Sequence, residues 1–124
     1  MDEVSPSGRL RVLFVCALNQ WRSPTAEQLY KSDARLEVRS AGIRSGAKRR
    51  ISQSDLEWAD VVFVMDQEQR RWIAEQFRQV GLPPIRLLDI PDNYPYMHLV
   101  LQEALRAAID PEIEAILSSR DGTS

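Results

Sequence analysis

The run Leu-Arg-Val-Leu-Phe-Val at residues 10–15, ending against Cys16, constrains this chain more than any other segment. Apolar and largely β-favouring, it suits a strand covered on both faces, as in parallel sheets. A tight loop follows at once and a helix begins. Ser23 suits its N-cap, Pro24 its first position, and Ala26, Leu29 and Tyr30 share one face before the helix fades near Asp33.

The remainder repeats this alternation. Residues 36–42 (LEVRSAG) read as a strand ended by Gly42, 43–50 as a basic loop, 52–59 as a short helix and 60–65 as a buried strand. A helix over 66–81 places Ile73, Phe77 and Val80 at helical spacing and stops at Gly81, ahead of Pro83 and Pro84. Residues 85–90 read as a fourth strand and 91–96 as a loop. The last helix, 97–118, turns Leu101, Leu105, Ala108, Ile109 and Ile116 inward and is bent or interrupted at Pro111. Strands separated by helices predict an α/β fold of parallel βαβ units, a three-layer domain with helices on both faces of the sheet. One domain is expected over 1–124, with flexible tails at 1–8 and 120–124. In such sheets ligands bind beyond the carboxyl ends of the strands, where the loop after Cys16, the loop after Gly42 and the loop 91–96 emerge.

Composition narrows the function. A hydrophobic content of 44% over 124 residues supports a core. A net charge of −2 and a pI near 5.4 give no global attraction to nucleic acid or an anionic membrane. No apolar run approaches the roughly 20 residues of a membrane span, and the opening MDEVSPSGRL lacks a secretory apolar stretch, so the expected address is the cytoplasm. One cysteine and one histidine form neither an internal disulfide nor a metal cluster, and no metal or cofactor is expected.

Cys16 sits where a strand gives way to a loop entering a helix, so backbone N–H groups of Ala17, Leu18, Asn19, Gln20 and Trp21 converge near it. Such a loop binds anions and favours thiolate over thiol. At its far end the fork of Arg22 matches two oxygens of a tetrahedral phosphate, and Ser23 brings a hydroxyl able to donate to sulfur. A lone cysteine is by default a small core hydrophobe. The arginine and serine at this spacing, between a buried strand and a proline-started helix, favour a nucleophile in phosphoryl transfer.

The stretch VLFVCALNQWRSPTAE resembles the signature of the low-molecular-weight protein tyrosine phosphatases, and SAG at 40–42, MD at 65–66 and DIPDNY at 89–94 resemble that family's later landmarks in the same order. The resemblance implies a four-stranded parallel sheet, no metal, and hydrolysis of phosphate monoesters through a cysteinyl-phosphate intermediate. It places the nucleophile on Cys16, the phosphate clamp on Arg22, the thiolate-stabilising hydroxyl on Ser23, a loop-shaping asparagine on Asn19 and its supporting serine on Ser40. The mechanism also needs a group that gives a proton to the leaving oxygen and later takes one from water. The resemblance puts this general acid on Asp92, in preference to Asp89 at a strand end. It puts an aromatic rim for the substrate on Tyr94, and less so on Tyr96. The implied substrate is a phosphotyrosine protein or a small phosphate ester.

The chain departs from the family pattern at several points. Trp21 stands where many members carry a second cysteine, which excludes a protective disulfide, and Leu18 replaces a glycine beside the cradle. Asn93 replaces the proline of Asp-Pro-Tyr, the segment between SAG and MD is shorter, and no histidine matches the one that joins the asparagine network. His98 is read as a surface or rim residue. Arg44, Lys48, Arg49 and Arg50 form a basic cluster beside the cleft, and an anionic substrate there would depend on Arg49 and Arg50. Two other functions remain open. One is a phosphopeptide-binding module without turnover. The other is a thiol-dependent arsenate reductase, disfavoured because there is no further cysteine to carry a disulfide.

Overall fold

The structure is a computed structural model that describes residues 8–120. Of the expected tails, 1–7 and 121–124 lie outside the described residues, and Arg120 closes the last helix. The elements alternate strictly: β1 (Leu10–Cys16), α1 (Arg22–Tyr30), β2 (Leu36–Gly42), α2 (Gln53–Trp58), β3 (Val61–Val64), α3 (Gln67–Gln76), β4 (Ile85–Leu87) and α4 (Leu99–Arg120).

All four strands pair in parallel in the order β2-β1-β3-β4. The two central strands are the apolar runs singled out in the sequence. Leu10, Val12, Phe14 and Cys16 face one way, packing with Ala26 and Tyr30 of α1 and with Leu101, Leu105, Ile109 and Ile113 of α4. Leu13 and Val15 face the other way, with Leu56 of α2 and Ile73 of α3. Phe14 stacks on Phe63 at 5.9 Å at the centre of the first layer. Because β1 is flanked by β2 on one side and β3 on the other, its carboxyl end is the switch point of the sheet, and Cys16 stands there.

Element boundaries correct the sequence reading in four places. α1 starts at Arg22 with Trp21 as its cap residue and no side-chain cap, so Ser23 lies inside the first turn instead of capping it. Pro24 is tolerated there because the first helical amides have no intrahelical acceptor. α3 ends at Gln76, short of Gly81. Phe77 leaves helical geometry and packs edge-on against Trp72, and the chain turns at 77–80 toward the two prolines that precede β4. β4 is three residues long, because Asp89 adopts a left-handed φ of 60°, yet the amides of Leu88 and Ile90 still bond to Val64 and Met65. α4 runs through Pro111 without a break. Pro111 and Ala107, whose carbonyl loses its partner, are both on the exposed side, so water can take the bond.

Candidate active site

The loop 17–21 is shaped from behind. The carbonyls of Cys16 and Ala17 accept from the Ile43 amide at 3.2 and 3.0 Å, Ala17 accepts also from Arg44 at 3.0 Å, and Leu18 accepts from Lys48 at 3.0 Å. In a trans peptide N–H and C=O point oppositely, so the amides following these carbonyls lie on the other side of the loop. Asn19 turns the chain with φ of 54°, the left-handed conformation asparagine tolerates. The loop rests on Gly42: a Cβ there would sit 2.8 Å from Ala17 O, from Asn19 N and from the Ala47 side chain.

The sulfur lies at the front of this loop, in a residue that is 3% exposed. Ser23 Oγ is 3.0 Å from Cys16 Sγ, and the Ser23 amide, free of helical bonding in the first turn of α1, donates to the sulfur at 3.4 Å. Behind Ser23 runs a fixed chain of donors. Asn19 Nδ2 donates to Ser23 Oγ and Ser40 Oγ, both at 2.9 Å, and Ser40 Oγ donates to Glu27 Oε1 at 2.5 Å. Since Asn19 occupies a lone pair of Ser23 Oγ, the serine proton is left for the sulfur or for Ala41 O at 3.3 Å. A thiolate takes it, because a hydrogen bond to a charged acceptor contributes about 1.5–3 kcal/mol.

Arg22 is 3% exposed, and one end of its guanidinium is tied down: Nη1 donates to Asp66 Oδ2 and to Ile90 O, each at 3.0 Å. Nε is buried with no hydrogen-bond partner among the described residues, and Asp92 Oδ1 lies 3.5 Å from it. Cys16, Leu18, Gln20, Trp21, Arg22 and Asp92 line one cavity of about 130 Å³. A thiol, an unsatisfied guanidinium donor and an exposed carboxylate thus meet in one small space, an arrangement that can hold a tetrahedral anion against a nucleophile with an acid across from it.

The carboxylate loop is held at both ends. Ile90 bonds to Met65 O and to Arg22, and the Met97 amide donates to Thr25 Oγ1 at 2.9 Å with φ of 63°. Asp89 stays outside the cavity. Tyr94 packs on the α1/α4 core layer with its ring 4.8 Å from that of His98, while the exposed Tyr96 borders the neighbouring cleft. His98 is exposed, and its Nδ1 accepts from the Val100 amide at the start of α4. The basic loop does not present Arg49 and Arg50 to the cavity. Arg49 binds the buried Asp55 and Ser40 O, Arg50 lies over Trp72, and Arg44 pairs with Glu68 at 2.6 Å.

Sequence reasoning did not assign roles to Asp66 or Glu27. Asp66 caps α3 while anchoring Arg22. Burial acts to raise its proton affinity, but the bonds from Arg22, Gln69 and the Glu68 amide, with the charge of Arg22, together outweigh this and hold it below the usual aspartate range. Its position at the carboxyl end of β3 was the available signal. Among the described residues no three His, Cys, Asp or Glu side chains form a metal-binding group, and no helix is long and apolar enough to cross a membrane.

No family model and no curated protein matches the sequence. Solved structures do. The chain is similar to the YwlE arginine phosphatase of Geobacillus stearothermophilus (23% identity, 93% of this chain and 99% of that one, TM-score 0.72). It is also similar to the low-molecular-weight protein tyrosine phosphatase SP-PTP of Streptococcus pyogenes (21%, 93% and 95%, 0.68). A third match is the tyrosine phosphatase Wzb of Escherichia coli K30, solved with phosphate (18%, 85% and 96%, 0.66). The chain has the fold these phosphatases share.

Proposed function

We propose that the protein is a cysteine-dependent phosphate monoester hydrolase, acting on phosphotyrosine in proteins or on small aryl phosphates. The observation that carries this is the shared cavity of Cys16, Arg22 and Asp92, with Ser23 Oγ 3.0 Å from the sulfur. Arg22 Nε and the loop amides bind the phosphoryl oxygens. Cys16 Sγ attacks phosphorus as the bond to the leaving oxygen breaks, and Asp92 transfers its proton to that oxygen. The S–P bond of the cysteinyl-phosphate then breaks as water attacks, Asp92 accepting the water's proton and Ser23 donating to the departing thiolate. No step needs a metal. A reducing, cytoplasmic setting suits a thiolate with no second cysteine to protect it.

Cys16→Ser is expected to abolish turnover of an aryl phosphate in the presence of a chelator, and undiminished turnover would exclude the covalent route. Asp92→Ala is expected to slow hydrolysis by roughly 10²–10⁴-fold for esters with poor leaving groups and far less for good ones. An unchanged leaving-group dependence would assign the proton to another residue. Because the Geobacillus neighbour is an arginine phosphatase, phosphoarginine is the second substrate class to assay. There the same acid would protonate the guanidine nitrogen as the P–N bond breaks.

A further inference from the structure

The cavity over Cys16 is too small for more than the phosphoryl group and its nearest atoms. Beside it opens a cleft of about 560 Å³, within the range of about 300–1,000 Å³ typical of organic-ligand pockets. Gln20 and Trp21 belong to both walls, so an occupant of the cleft is a near neighbour of whatever the cradle holds. The cleft's other notable walls are Pro24, Glu27, Lys48 and Tyr96.

Two of these walls are aromatic rings. Trp21 is 39% and Tyr96 49% exposed, and neither pairs with another ring among the described residues. Lys48 has no ion pair among the described residues, and Glu27 already accepts from Ser40. Glu27 and Lys48 stand in the same cleft, so for a charged guest the attraction of one is offset by the repulsion of the other. A neutral aromatic ring gains from the walls without that opposition: it stacks on Tyr96, with Trp21 beside it, and offers its face to Lys48.

Resting on the phosphatase reading, we propose that this cleft is a subsite for an aromatic side chain next to the phosphorylated residue of a polypeptide substrate. The preferred substrate is therefore a protein segment carrying two recognition groups, one in each cavity.

The test is steady-state kinetics on phosphotyrosine peptides with Phe, Glu, Lys or Gly at the flanking positions, beside a small aryl phosphate as reference. A flanking Phe is expected to raise kcat/KM about three- to tenfold over Gly, the size of one aromatic contact. Tyr96→Ala is expected to remove that gain while leaving the aryl phosphate within about twofold. Equal rates on all peptides, a preference for Glu or Lys, or a Phe preference that survives Tyr96→Ala would each overturn the subsite while the phosphatase reading stands. Absence of turnover on the aryl phosphate and on every peptide would overturn the phosphate monoester hydrolase reading and the subsite together.

Discussion

Arg22 lies between two carboxylates with different tasks. Asp66 fixes its buried end, and Asp92, exposed and 3.5 Å from Nε, faces the cavity. Replacing Asp66 separates two roles. Asp66→Asn keeps an N-cap for α3 but removes the charge that holds the guanidinium, whereas Asp66→Ala removes both. The asparagine variant is expected to raise KM for aryl phosphate about tenfold or more with a smaller change in kcat, and the alanine variant to add a loss of about 1 kcal/mol in unfolding free energy. KM unchanged in both variants, with stability lost only in the alanine variant, would reduce Asp66 to a cap. Cys16, Arg22 and Ser23 were legible as a group in the sequence because one loop carries all three. Asp66 was not, because the bond that defines it joins residues 44 positions apart.

At the scale of elements, the site depends on how closely β2 approaches the loop after β1. Gly42 pairs with Cys16 across the sheet, and its bare Cα lets the loop backbone lie against it. Gly42→Ala is expected to displace residues 17–19, lowering kcat/KM at least tenfold and costing roughly 1–3 kcal/mol of stability. A variant with full activity would mean that the loop accommodates a methyl group. The strand runs and their order were readable because central parallel strands are apolar throughout. Helix ends were less readable because tertiary contacts set them: the sulfur claims Ser23 from a capping role, and Trp72 draws Phe77 out of α3. The rim was hard to read for a similar reason. Tyr94 and Tyr96 are two residues apart, and only the packing of the whole loop on α1 and α4 decides which ring reaches the core.

For the whole molecule, the buried carboxylate Asp55 links stability to pH. It lies beneath Arg39 and Arg49 and accepts from the Ser52 amide at 3.0 Å. Burial acts to raise its titration point, but the bonds from Arg49 and Ser52 outweigh this, so in the folded chain it titrates below its ordinary value. A lowered folded value means stabilisation present above the ordinary aspartate range of about 3.9 and lost as pH falls through the folded value. Asp55→Asn is expected to cost about 1–3 kcal/mol near neutral pH. Denaturant midpoints of variant and parent should converge below about pH 4, and a constant gap down to pH 2 would place the acid sensitivity elsewhere. The crossing helix α4 carries one more consequence. It closes the layer that contains Cys16, although every residue of the cradle precedes it in the chain. Without Leu101, Leu105, Ile109 and Ile113 the face of β1 that carries Cys16 loses its apolar cover. Truncation ahead of α4 is therefore expected to cost the cradle its geometry although it removes none of the cradle's own residues.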